Sequence, residues 1–219
     1  MYYKKNRTRY GGKDIKTSEP FLMQVPLKRL LAHVSTEDEL TQYLASKTLD
    51  KGRQNGWHVV VAWSGKCRAA HKDMAYLDSD QEEADTKILL HAVGATASGA
   101  KSIKIFLPDT NMFVLALRRY PELCADSSFV TRRGQRHRNI PLFPIVRTLG
   151  AARTAALPGF HAWSGVDVTG NFAFKGKLEC WKALLQADEE CVTALADLSS
   201  TILPTAGMFY AIEKLVCQF

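Results

Sequence analysis

The chain has 219 residues, 46% of them hydrophobic, and carries 29 Lys and Arg against 22 Asp and Glu, a formal charge of +7. That is enough apolar material for one core of ordinary size, and it argues against a chain held open by its own charge. The basic balance favours an acidic partner such as nucleic acid, and five cysteines without a C-x-x-C pair argue against a disulfide framework.

Residues 1–20 are polar and basic (Lys4, Lys5, Arg7, Arg9, Lys13) and read as a loose arm. Residues 21–34 hold Phe21, Leu22, Val25, Leu27, Leu30 and Leu31, but Pro26 interrupts any helix there. Ser35 and Thr36 before Asp38 and Glu39 suggest a capping box, and a helix over 37–48 would turn Leu40, Tyr43, Leu44 and Thr48 inward. Trp57 to Trp63 (WHVVVAW) has the composition of a buried strand, followed by polar loop to residue 80. A helix over 81–97 comes next, with Ala84, Ile88, Leu89, Ala92 and Ala95 as its stripe and Gly99 as its stop. Ser102 to Leu107 is the next strand, and Asn111 to Leu117 fits a helix or a strand equally. Phe129-Val130 and Arg138 to Pro141 are short strand candidates. Leu142 to Leu149 looks helical up to Gly150, and 153–164, Glu179–Gln186, Asp188–Leu198 and Thr205–Val216 are helical in period. Strands alternate with helices early and helices dominate late, which is an α/β domain with a helical extension over about 150–219.

No apolar run reaches membrane-spanning length, and Met1-Tyr2-Tyr3-Lys4-Lys5 lacks the apolar stretch of a signal peptide. The expectation is a soluble intracellular protein with no membrane partner, the nucleus being a candidate compartment.

Two acidic clusters carry the chemistry. Glu82 and Asp85, in Gln81-Glu82-Glu83-Ala84-Asp85-Thr86, lie three apart on one face of a helix start. Asp109, in Pro108-Asp109-Thr110-Asn111, stands where a strand ends. Carboxylates in those two places can converge on a hard divalent cation, as metal-dependent phosphoryl transfer requires. Each also has a plainer use: first-turn acids complement the helix dipole, and Pro-Asp-Thr-Asn is good turn chemistry. Asp167, after Ser164-Gly165, could simply cap the next segment. Basic segments at Arg132-Arg133, Arg136 with Arg138, and Lys175-Gly176-Lys177 are candidates for phosphate, the last because glycine admits a backbone and a helix beginning near Leu178 would offer amides. Phe172, Phe174 and Trp181 interleave with these lysines and are expected in the core. His91 and His161 lack ligand spacing, so zinc is not expected.

QEEADTKILLHA, FLPDTNMFVLAL and LPGFHAWSGVDVTGNFAFKGKLECWKAL together resemble a large animal family often found beside mobile-element genes. Its motifs run EEADT, then PDTD, then LPGFHA-x-TGCDTT with a GKGK segment. Their order is in turn similar to that of PIN-like and flap-endonuclease nucleases. The resemblance spans about residues 20–185. It implies a PIN-like three-layer α/β domain over 21–219, with a central, mainly parallel sheet and a helical carboxyl-terminal part. It also implies that Glu82, Glu83, Asp85, Asp109 and Asp167 are ligands of Mg2+ or Mn2+, with Asp85, Asp109 and Asp167 in catalytic roles. Arg132, Arg133, Arg136, Lys175 and Lys177 would then hold DNA or RNA backbone.

Three departures temper this. Asn111 stands where the family has a second aspartate, Val166 replaces a cysteine, and no strand ending in an acid precedes Glu82. The leading expectation is a divalent-metal-dependent nuclease-like domain acting on phosphodiesters. The alternative is a catalytically decayed relative that binds nucleic acid or a protein partner without cutting, and a third is a structural fragment with no activity.

Overall fold

The computed structural model describes residues 34–79, 84–107, 109–133, 136–166, 169–170, 172–200 and 203–218. The basic arm and the apolar segment over 21–33 lie outside that range. The chain divides into two compact units, Met1–Lys87 and Ile88–Phe219.

In the first unit, α1 (Val34–Asn55) is followed by a hairpin of β1 (Val60–Trp63) and β2 (Lys66–Ala69). The two-residue link Ser64-Gly65 has positive φ at both positions, 43° and 80°. This is the twist-matched turn a tight hairpin prefers. It converts into a second strand what the sequence presents as polar loop. β1 is correspondingly short and alternates exposed and half-buried rather than lying buried throughout. The inner face of α1 also differs from expectation: Ala45, Leu49 and Gly52 are buried, whereas Tyr43, Leu44 and Thr48 are exposed. Gly52 explains the choice, because a Cβ there would meet Val59 and Ala70 at 3.2 Å, so the hairpin docks where the helix has no side chain. Asp78 fastens the hairpin from below. It accepts from the Cys67 amide at 2.5 Å and from Arg68 at 2.8 Å, and that backbone bond holds its carboxyl below the usual range.

The division falls within α2 (Ala84–Ala97), whose Leu89 and Ala92 belong to the core of the second unit. Gly99, at φ 91°, ends the helix as expected. β3 (Ser102–Phe106), β4 (Asp126–Arg133) and β5 (Arg136–Pro141) form one sheet in that order. β3 pairs parallel to β4 across a right-sized crossover containing α3 (Thr110–Arg118), and β4 pairs antiparallel to β5. The expected mainly parallel sheet is therefore corrected to a small mixed one. Two residues between Arg133 and Arg136 leave the chain room only to turn back on itself. The architecture is α/β, with seven α-helices among the described residues.

α4 (Leu142–Trp163) is two helical stretches broken at Gly150, φ 76° and ψ 167°, where the sequence placed a stop. α5 (Lys177–Gln186), α6 (Glu189–Leu198) and α7 (Ala206–Val216) complete the helical third. One core gathers Met112, Leu117, Ile105, Phe129 and Leu157 between sheet and helices. Another gathers Phe160, Cys180, Leu184, Cys191 and Leu195 among α4, α5 and α6. The closest approach is at Gly159, where an added Cβ would lie 1.9 Å from the Leu195 carbonyl oxygen. Asp188 caps α6 through the Cys191 amide at 2.9 Å and is ion-paired with Lys214 of α7. The five cysteines are free thiols, and burial pushes Cys191 up to about 11. Among the described residues, no helix is long and apolar enough to cross a membrane.

Candidate functional site

Asp109 lies at the carboxyl end of β3, where α/β proteins usually place their sites. Its carboxylate caps α3, with Oδ1 accepting from the Asn111 amide at 2.9 Å. This position leaves Asn111 on the first turn of α3, with Oδ1 2.7 Å from Nε2 of His161 near the end of α4. On the other side of the imidazole, Nδ1 is 3.0 Å from Nζ of Lys177, the first residue of α5. Lys177 also donates to the carbonyls of His161 at 3.3 Å and Gly165 at 2.7 Å.

Three stretches that the sequence set apart, Pro108-Asp109-Thr110-Asn111, LPGFHAW and Lys175-Gly176-Lys177, thus meet in one polar chain. An ammonium can only donate, so Nδ1 accepts, the ring proton sits on Nε2, and it is given to Asn111 Oδ1. Burial first, and the Lys177 charge second, hold the His161 pKa below its usual value, with Asp109 opposing. Burial likewise lowers Lys177. At neutral pH the chain carries one carboxylate, one neutral imidazole and one ammonium.

Beside it, α3, α4 and α5 enclose a groove of about 720 Å³. Its lining is mostly apolar, with Phe113, Leu117, Ile145, Leu157, Phe160 and Trp181 along the walls and His161 and Lys177 at one margin. The aromatic rings around it lock together: Phe160 meets Trp181 at 5.5 Å and Trp163 meets Phe172 at 4.9 Å between centroids.

Of the expected metal ligands, Asp109 alone has a described side chain. Glu82, Glu83 and Asp167 lie outside the described residues, as does the side chain of Asp85 in the first turn of α2. Among the described residues, no three His, Cys, Asp or Glu side chains gather in a way that could hold a metal ion. Asp109 itself spends one carboxylate oxygen on the cap of α3. Of the expected phosphate ligands, Arg132, Arg133 and Arg136 border the β4–β5 turn with side chains outside the described set. Lys175 is exposed just before α5. Lys177 is exposed but has all three of its protons directed at acceptors.

The sequence did not single out the pairing of Asn111 with His161. The signal available was that His161 is the one ionisable residue in an otherwise apolar LPGFHAW run. Phe174, expected in the core, is instead fully exposed. Searches of protein-family models, curated proteins and solved structures find no match to this chain.

Proposed function

We propose that the chain is a PIN-like domain that binds nucleic acid through its phosphate backbone and does not cleave it. The observation that carries this reading is the hydrogen bond from His161 to Asn111 at 2.7 Å, with Lys177 3.0 Å beyond. The resemblance leads one to expect a second carboxylate at the Asn111 position. A neutral amide there, its oxygen occupied by the histidine N–H and with an ammonium beyond the ring, attracts a cation less than a carboxylate would. The binding half rests on charge and on α5. The chain carries +7, and α5 opens at Gly176, whose position has no side-chain cap on the helix amides, with Lys175 exposed beside it. Amides at a helix start next to a lysine suit a phosphate oxygen.

The cleaving form of the same reading has one observation in its favour, the place of Asp109 after β3. In that form Glu82, Glu83, Asp85, Asp109 and Asp167 would hold Mg2+ or Mn2+. A single experiment separates the two. Labelled single-stranded and duplex oligonucleotides are titrated across salt concentrations, and the same samples are incubated with Mg2+ or Mn2+. Binding that weakens as salt rises, with no cleavage, is the expected result. Manganese-dependent cleavage that Asp109→Asn abolishes would establish the nuclease instead. A folded chain that neither binds nor cuts would leave only a structural role.

A further inference from the structure

Among the aromatic rings of the third motif, Phe160, Trp163, Phe172 and Trp181 pack on one another, and Phe174 packs on none of the described residues. Its relative exposure is 105%, the value of a ring that touches no neighbour. Its backbone adopts φ 59°, a left-handed conformation that a bulky residue rarely takes. Outliers of this kind persist where the surrounding structure holds them, in tight turns such as that at Ser64 and at functional positions. The turn that presents the ring is anchored at both ends. Before it, Phe172 is set against Trp163, and the Lys175 amide closes back on the Phe172 carbonyl at 3.2 Å. After it, Lys177 ties the start of α5 to the carbonyls of His161 and Gly165. The ring is therefore held out, with Lys175 as its neighbour. The nearest acid in the sequence, Glu179, is already paired with Lys182 at 2.8 Å.

We infer that Phe174 is a stacking platform for an unpaired base, with Lys175 taking the adjacent phosphate, and that the nucleic acid bound here is single-stranded. The inference rests on the nucleic-acid-binding reading above and specifies its substrate. A paired base keeps both faces stacked inside the duplex, so only an unpaired one can lay a face on an exposed ring. An aromatic beside a cation is the arrangement by which single strands are held without regard to sequence.

The test compares the full chain with Phe174→Ala, Phe174→Trp and Lys175→Gln, using oligo(dT), oligo(U) and a duplex of equal length. Phe174→Ala should weaken single-strand binding about 5- to 150-fold, from the usual contribution of one stacked base. Duplex affinity, the slope against salt and the melting temperature should not change. Phe174→Trp should restore affinity and add a fluorescence quench on binding that the unaltered chain lacks. Lys175→Gln should reduce the salt slope by about one phosphate contact. Single-strand affinity unchanged in Phe174→Ala would overturn the inference while leaving backbone binding intact. So would loss of self-association in that variant with strand binding preserved, which would assign the ring to a protein contact. Absence of binding to every oligonucleotide by the unaltered, folded chain would remove the broader reading and this inference with it.

Discussion

His161 is where sequence, geometry and charge can be tested most directly. Its ring stands between Asn111 and Lys177, and protonation would put a second cation 3.0 Å from an ammonium. Because its pKa is lowered in the folded chain, the unfolded chain takes up the proton first as pH falls. The stability linked to His161 is therefore complete above about pH 6.5, the ordinary histidine value, and is lost progressively below it toward the depressed folded value. Proton-detected titration of the ring should give a midpoint below that ordinary value, and His161→Gln should flatten the fall in melting temperature between neutral pH and about pH 5. A midpoint at or above the ordinary value would mean that the ring is not buried beside Lys177 in solution as described. Asn111→Asp should move the midpoint upward, since a carboxylate on Nε2 favours the imidazolium. Phe174 gives a second residue-level test, this time of strain. Relief of a left-handed conformation is worth about 1–2 kcal/mol, and glycine's extra freedom in the unfolded chain costs about 0.5–1 kcal/mol. Phe174→Gly should thus leave stability unchanged or raise it slightly. A clear drop on thermal melting would show that the ring has a packing partner.

Among the elements, the pairing of α4 with α6 is the most constrained. At Gly159 the two helices approach so closely that a single methyl group would sit 1.9 Å from the Leu195 carbonyl oxygen. Backbone cannot yield as a side-chain tip can, so Gly159→Ala must separate the helices or expose part of the core formed by Phe160, Cys191 and Leu195. The expected cost is about 3 kcal/mol or more, a fall in melting temperature of roughly 6–12 °C for a chain of this size. A fall under about 2 °C would mean the helices are not in contact there. This contact was not legible in the sequence: Gly159 stands in LPGFHAW as one more breaker next to Pro158, and only its neighbour in space gives it meaning. Legible features were those that chain-local physics decides. Gly99 and Gly150 interrupt helices where they were expected to, and the helical period from Asp188 and from Thr205 matches α6 and α7 with their caps. Asn111 to Leu117, ambiguous by pattern, became a helix because Asp109 caps it. The β1–β2 hairpin went unread because Ser64 must take positive φ beside Gly65, which composition does not announce. The sheet's mixed character escaped for a related reason: direction is set by how few residues separate β4 from β5, not by the strands' own residues.

At the scale of the molecule, the remaining question is whether the carboxylates act together. The sequence placed Asp109 with Asn111, His161 and Lys177 in three separate motifs that form one chain of contacts, while the expected convergence of Glu82, Asp85 and Asp167 on Asp109 lies outside the described residues. It did not reveal their charge balance, because the lysine that offsets Asp109 comes from a segment read as a phosphate ligand. A cation site formed by five acids and a chain of contacts with one carboxylate and one ammonium make opposite thermodynamic demands. Clustered carboxylates repel one another when empty, so a true site is stabilised by its ion in proportion to RT ln(1 + [L]/Kd). With a Kd of about 0.1 mM, about 10 mM Mg2+ would add about 2.7 kcal/mol, or roughly 5–10 °C on the melting temperature. The non-cleaving reading expects a change below about 2 °C once NaCl has been matched for ionic strength, and the same small change in Asp109→Asn. Thermal melts of both chains with Mg2+, Mn2+ and matched NaCl decide the matter. A rise of several degrees that is specific to the divalent ion and absent from Asp109→Asn would establish Asp109 as a ligand. It would also return Glu82, Glu83, Asp85 and Asp167 to the centre of the mechanism.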